Sequence, residues 1–199
     1  MIEIKAKWIA VDWGTTHMRA WAIGEEDNVL AFRESNEGMK DLQQNQFEPV
    51  LLKLIESWLD DTKVTTVIAC GMVGSKQGWV ETPYLKTPCV PIDNQQLAIA
   101  TTKDNRIKVN FVPGVMQNNL ADIMRGEETQ IAGFINKNPD FNGVVCLPGT
   151  HTKWVNVKEG QITSFKTFMT GELFGVISNH TLIRHSISIK GWNQAGFEA

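Results

Sequence analysis

The 199-residue sequence predicts an α/β fold that opens each of two related halves with a three-stranded unit. Short apolar runs of strand length meet Gly-Thr turns twice, at Gly14-Thr15-Thr16 and at Gly149-Thr150-His151. A β-branched strand, Thr65 to Cys70, follows an amphipathic helix and stops at the glycine-rich Gly71-Met72-Val73-Gly74-Ser75. Strands that end in such turns are how α/β proteins build a ligand crevice. No low-complexity tract or short-period repeat is present, so the two matching units read as one duplication and not as a solenoid.

Taken in order, Trp8-Ile9-Ala10-Val11 is short enough for a buried strand, Met18 to Ala22 leads back, and Val29 to Arg33 makes the third strand. Phe47, Val50, Leu51, Leu54, Ile55, Trp58 and Leu59 recur at helical spacing and form one apolar stripe, which is core packing. Trp79 to Pro91 holds three prolines and reads as an irregular lobe. Asn94 to Ala100 is expected as a short helix, and Ile107 to Val112 as a strand stopped by Pro113-Gly114. Asn118 and Asn119 suit the N-cap of a helix from Ala121 to Phe134, with Ile123, Met124, Ile131 and Phe134 buried. The polar stretch Asn136 to Asn142 divides the chain into a first lobe, 1–136, and the start of a second, 143–199. There Gly143 to Leu147, Lys153 to Val157 and Gln161 to Phe168 repeat the opening meander, and a helix from Glu172 to Ile183 follows. Trp8, Trp58 and Trp154 are expected in the core.

The composition is 42% hydrophobic and 21% charged with a net charge of −3, and the basic residues are scattered. That leaves no electrostatic footprint for nucleic acid or an anionic membrane. The N-terminus reaches Asp12 without a long apolar core, so neither a secretory signal nor a membrane span is expected. Cys70, Cys89 and Cys146 are odd in number and lack CxxC spacing, which fits free, mostly buried thiols in a reducing cytoplasm.

Two glycine-threonine hairpins across a crevice suit a nucleoside triphosphate. Tight turns aim unpaired N–H groups outward at an anion, and each threonine adds a hydroxyl. Either glycine alone is an ordinary hairpin residue; both, in matching units, point to phosphate. Asp12, at the end of its strand, can hold Mg²⁺ where the metal bridges phosphates, although aspartates also commonly begin turns.

These residues resemble a known family. The strand-Asp-x-Gly-Thr-Thr-strand opening is similar to the phosphate hairpin of the actin, hexokinase and heat-shock ATPase superfamily. Five stretches, in family order over nearly the whole chain, resemble the 2-keto-3-deoxygalactonate kinases. They are Ile9–Trp21 (IAVDWGTTHMRAW), Gly71–Ser75 (GMVGS) with Gly78-Trp79 and Pro83-Tyr84-Leu85, Met124–Gln130 (MRGEETQ), Pro148–Trp154 (PGTHTKW) and Thr170–Leu173 (TGEL). The resemblance implies duplicated ribonuclease H-like lobes of the actin and hexokinase type, the second incomplete. It also implies transfer of the ATP γ-phosphoryl group to the 6-hydroxyl of 2-dehydro-3-deoxy-D-galactonate in galactonate breakdown, with Mg²⁺. The family's proteins continue past this chain's last residue into a glycine-rich turn that forms the adenosine pocket, so a truncated second lobe is expected.

On that resemblance Asp12, Gly14, Thr15, Thr16, Gly149, Thr150 and His151 hold the nucleotide and its metal, His151 being equally suited to bracing its turn. Gly71, Met72, Gly74 and Ser75 line the sugar-acid pocket, with Tyr84 either covering it or packing. Arg125 pairs the substrate carboxylate. The general base lies among Asp122, Glu127 and Glu128, all read as residues of one helix, with Asp122 favoured because related sugar kinases place an aspartate near such a helix start. A homodimer stays open. Competing readings are a non-catalytic actin-like ATPase module, a ribonuclease H-like nuclease, which would need more carboxylates on the meander, and a fragment that binds sugar acid without turnover.

Overall fold

The computed structural model describes residues 4–187, 191 and 193–198. Strands β1 (Trp8–Trp13), β2 (Met18–Ile23) and β3 (Val29–Ser35) form an antiparallel meander. β4 (Thr65–Cys70) runs parallel to β1, β7 (Ile107–Phe111) parallel to β4, and the short β6 (Ala98–Ile99) closes the edge. The sheet order β3-β2-β1-β4-β7-β6 is the ribonuclease H-like arrangement expected of the first lobe.

Period-two alternation decides which face is buried. Ile9, Val11 and Trp13 point with Met18, Ala20, Ala22, Val67 and Ala69 into one core, against Phe47, Leu51 and Ile55 of α1 (Phe47–Ile55). The apolar stripe continues through Trp58 and Leu59, but on a 3₁₀ turn over Glu56–Trp58 and not on the same helix. Trp79 stacks on Phe47 at 6.0 Å and meets Trp13 and Phe111 edge-on, pinning the irregular segment after β4 to this core.

Two smaller sheets follow. β5 (Tyr84–Lys86), β8 (Gly114–Gln117) and β9 (Asp122–Met124) form one. β10 (Gly143–Leu147), β11 (Thr152–Lys158) and β12 (Gln161–Phe168) form the second antiparallel meander. α2 (Glu127–Lys137) and α3 (Thr170–His180) complete the described framework with a short terminal helix, α4 (Gln194–Glu198). Leu85, Val115, Met124 and Ile131 share a second core with Val155, Val157, Ile162 and Phe165, so packing crosses the polar stretch 136–142. Gln117 reinforces the crossing: its side chain accepts the Phe165 N–H at 2.9 Å and donates to the Phe165 carbonyl at 3.0 Å. Among the described residues no helix is long and apolar enough to cross a membrane.

Several expected elements differ. Asn94–Gln96 is only a 3₁₀ turn, capped by Asp93, and Ala98–Ile99 is strand, because β7 offers an open edge. The irregular lobe contains β5, which pairs with β8. The expected helix over Ala121–Phe134 is replaced up to Met124 by the β8–β9 hairpin, whose turn places Leu120 at φ +56°. Gly126, at φ +110°, then separates that hairpin from α2, which begins at Glu127. Ile123 is consequently exposed, whereas Met124 and Ile131 are buried. α3 starts two residues earlier than expected and yields to a 3₁₀ turn at Leu182–His185. Trp154 lies on the open face of β11 and is exposed, and Cys146 is exposed on β10; neither is core.

Candidate active site

At the ends of β1 and β4, Asp12 pairs in register with Arg19 and with Cys70. Gly71 follows at φ +94°, and a Cβ there would lie 2.9 Å from the Trp13 carbonyl oxygen and 3.3 Å from Asp12 Oδ1. Gly126 packs on the other side, its Cβ position 3.3 Å from Gly71 Cα. Two chain reversals therefore meet beside Asp12, and at Gly71 only a glycine lets the strand ends approach so closely. Burial raises the Asp12 carboxyl above the ordinary aspartate range, partly offset by the Arg19 guanidinium 3.6 Å away. Asp12, Arg19, Cys70, Gly126 and Thr129 line one end of a cavity of about 490 Å³ with apolar walls. Beside Asp12 the Gly14 turn is closed by the Gly14 N–H on the His17 carbonyl, leaving Thr15 and Thr16 exposed.

No cluster of three or more His, Cys, Asp or Glu suited to a metal occurs among the described residues. One half-exposed carboxylate next to the exposed Thr15 and Thr16 instead fits Mg²⁺ bound in its usual nucleotide mode, mostly by phosphate oxygens and water.

The expected sugar-acid residues assemble in a corner beside this turn. Met72–Gly74 form a 3₁₀ turn, and Thr82 returns onto it, its N–H donating to the Gly74 carbonyl at 2.9 Å. Arg125 packs against Gly74 and donates to the Thr82 hydroxyl and, at 3.3 Å, to the Thr82 carbonyl. Its guanidinium lies over the Tyr84 ring, 4.3 Å from the centroid. Two buried polar atoms of this corner lack a hydrogen-bond partner, Ser75 Oγ and Arg125 Nε. Buried groups of this kind cost stability unless something satisfies them.

The three candidate carboxylates separate. Asp122 lies on β9, not on a helix, and accepts the Ile123 N–H and the Thr167 hydroxyl, each at 2.8 Å. Arg125 sits in the turn before α2, so Asp122, Arg125 and Glu128 do not share a helical face. Glu127 Oε2 accepts the Arg125 N–H at 3.1 Å. Glu128 is fully buried and takes the Gly126 N–H on both oxygens, at 2.8 and 2.7 Å. Burial pushes its carboxyl up to about 7, against the pull of those N–H groups. The neighbouring Cys70 thiol is pushed up to about 12 by burial and by the charges of Asp12 and Glu128, which leaves it inert.

The second turn is exposed at Gly149, Thr150 and His151 and is gripped by the start of α3. The Glu172 N–H donates to the Thr150 carbonyl at 3.0 Å, and the His151 ring meets the Glu172 carboxylate at 2.5 Å. The Thr152 and Thr170 hydroxyls bond to each other just behind it. PGTHTKW and TGEL are thus one structural unit. The described residues show no direct contact between the Gly14 and Gly149 turns. A further link between the halves is Lys153, buried on β11: its ammonium donates to Thr167 Oγ1 at 2.8 Å and lies 4.0 Å from Glu127 Oε1. Thr167 in turn donates to Asp122.

Thr82 and Lys153 hold this arrangement together and were not singled out by sequence reasoning. Thr82 carries no readable signal. Lys153 does, since it falls in phase with Val155 and Val157 on the apolar face of its strand, where a lysine needs a partner.

A family model described as 2-keto-3-deoxy-galactonokinase matches residues 12–199. The chain is 39% identical over 181 residues to the "Probable 2-dehydro-3-deoxygalactonokinase DgoK1" of Rhizobium meliloti (strain 1021), covering 90% of this chain and 58% of that protein. It is 38% identical over 181 residues to the 2-dehydro-3-deoxygalactonokinase of Escherichia coli (strain K12), covering 89% and 59%. The crystal structure of a Sinorhizobium meliloti protein assigned as a 2-dehydro-3-deoxygalactonokinase superposes with a TM-score of 0.82 at 37% identity, covering 95% of this chain and 62% of that one. The chain therefore spans about three fifths of the length of the relatives it matches. With residues 12–199 matched by the family model, this chain belongs to the 2-keto-3-deoxy-galactonokinase family.

Proposed function

We propose that this chain belongs to a protein that transfers the γ-phosphoryl group of ATP to the 6-hydroxyl of 2-dehydro-3-deoxy-D-galactonate. The observation that carries this reading is the corner at Arg125, whose guanidinium lies over Tyr84 and where Ser75 Oγ and Arg125 Nε are buried donors without partners. A sugar acid, with a carboxylate and several hydroxyls, is the class of ligand that satisfies such groups. The proposed division is a sugar-acid lobe over 1–136 and the start of a nucleotide lobe over 143–199, with the two Gly-Thr turns facing one polyphosphate.

In this reading the N–H groups of the Gly14 and Gly149 turns and the hydroxyls of Thr15, Thr16 and Thr150 receive the phosphates. Asp12 is the residue that would hold Mg²⁺, whose charge offsets that of the transferring group. Arg125, fixed by Thr82 and Tyr84, orients the sugar acid, with Gly71, Met72, Gly74 and Ser75 as the pocket wall. For the proton acceptor we place Glu127 ahead of Asp122. Glu127 adjoins Arg125 and directs Oε1 toward Lys153, whereas Asp122 is bonded to Thr167 and its own backbone, and Glu128 is sealed under Gly126.

The test is ATP consumption over a panel of sugar acids, run on the full-length protein and on this chain. Turnover confined to 2-dehydro-3-deoxygalactonate, lost on chelation of Mg²⁺, is the expected result. Asp12→Asn in the full-length protein should lower the rate by about a hundredfold or more with the fold retained, because it removes a metal-binding charge and no packing volume. Near-normal turnover of that variant at saturating Mg²⁺ would remove Asp12 from the site.

A further inference from the structure

Each Gly-Thr turn is pressed from behind by a second glycine, and the two contacts repeat one another. Gly38 lies three residues beyond the end of β3, and Gly171 three beyond the end of β12. A Cβ on Gly38 would fall 2.3 Å from the Thr15 carbonyl oxygen and 2.4 Å from Thr16 C and Cα. A Cβ on Gly171 would fall 2.6 Å from the Gly149 carbonyl oxygen and 3.0 Å from Thr150 Cα. These obstacles are backbone atoms, which cannot rotate away as a side chain would.

The hydrogen bonds repeat as well. Behind the first turn the Met39 and Lys40 N–H groups donate to the Gly14 and Thr15 carbonyls at 3.0 and 3.1 Å. Behind the second the Glu172 N–H donates to the Thr150 carbonyl at 3.0 Å. In both halves the third strand ends and a glycine passes against the turn. A helical segment, a 3₁₀ turn in the first half and the start of α3 in the second, caps the carbonyl of the threonine that follows the turn glycine. The turn carbonyls are thereby held on the inner side, which leaves the outer side to N–H and hydroxyl donors.

We propose that Gly38 and Gly171 are positioning residues for anion binding: each fixes the outward set of its turn, so that the turn presents donors to a polyphosphate. The inference rests on the phosphate reading of the two turns and extends it to residues outside them.

The test compares Gly38→Ala and Gly171→Ala with Gly175→Ala, on this chain and on the full-length protein. Gly175 shares α3 with Gly171, but a Cβ there meets nothing within 4 Å, so it reports the effect of the substitution without contact. Backbone amide resonances give the first readout. Gly38→Ala should shift Thr15, Thr16 and His17, Gly171→Ala should shift Thr150, His151 and Thr152, and Gly175→Ala should leave both sets in place. Calorimetric titration with tripolyphosphate and Mg²⁺ gives the second, with affinity reduced about tenfold or more in the first two variants and unchanged in the third. Unshifted turn amides, or unreduced affinity in variants whose amides do shift, would overturn the proposal.

If the wild type binds no polyphosphate, the phosphate reading fails and the amide shifts still decide whether the glycines set the turns. Should the alanine variants not fold, amide exchange in the wild type decides: Lys40 and Glu172 must exchange slowly, and fast exchange of both sinks the brace.

Discussion

Arg125 shows how much of a site depends on residues around the one that carries charge. Its guanidinium is pinned by the hydroxyl and carbonyl of Thr82 and covered by Tyr84, so its orientation is set before any ligand arrives. Arg125→Lys should therefore not rescue function, since a point-charge ammonium cannot reproduce a planar fork. We expect weaker sugar-acid binding by about 2–4 kcal/mol, with the KM for ATP little changed, in steady-state kinetics of the full-length protein. Thr82→Val keeps the volume and loses the hydroxyl, and should shift the same KM in the same direction by a smaller amount. Equal losses for both substrates would make Arg125 structural. The arginine was legible in the sequence through its motif; Thr82 was not, because a threonine before a proline in a loop has no pattern that marks it.

At the level of elements, the decisive piece is the corner where β9 passes through Gly126 into α2. It turns what looked like one helix into a strand, a positive-φ glycine and a shorter helix, and so it separates Asp122 from Glu127 and Glu128. Glu128 anchors the corner, and its folded-state carboxyl near 7 stands above the ordinary 4.5. For an acid shifted upward, folding favours the protonated form. Its contribution is fully present below about 4.5 and is lost as pH rises to about 7. The difference corresponds to about 3 kcal/mol for this fully buried group. Denaturant unfolding of wild type and Glu128→Gln between pH 4 and 8 checks this: the wild type should lose that amount relative to the variant. A flat difference would show that Glu128 titrates normally.

Across the whole molecule, the second meander is tied to the β5-β8-β9 sheet and α2 by a shared apolar core, by Gln117, and by the chain of polar groups from Asp122 through Thr167 and Lys153 to Glu127. Lys153 is the member whose removal leaves a carboxylate without its cation. Lys153→Met should destabilise this chain by about 2–3 kcal/mol, less than a fully buried pair costs because Glu127 is partly exposed. In a double-mutant cycle Glu127→Gln should add little on top of it. Full additivity in chemical unfolding would show that the two do not interact. In the full-length protein the same variant should lower kcat more than it raises KM, because Glu127 is the proposed proton acceptor.

The sequence by itself determined the two meanders, the strand that ends at Gly71 and the core face of α1. Each follows from local rules: period-two alternation, period-3.6 alternation, and glycines where chains reverse. It also marked the residues of the crevice, because motifs sit where the backbone must bend. Only the tertiary structure decided which of them meet. The pairing of β8 with β9 overrode helix propensity over Ala121–Met124, because a neighbouring strand edge offers hydrogen bonds that no local window can see. The burial of Glu128, the partner of Lys153 and the glycines behind each turn were decided the same way, by segments tens of residues apart in the chain that pack within a few ångströms.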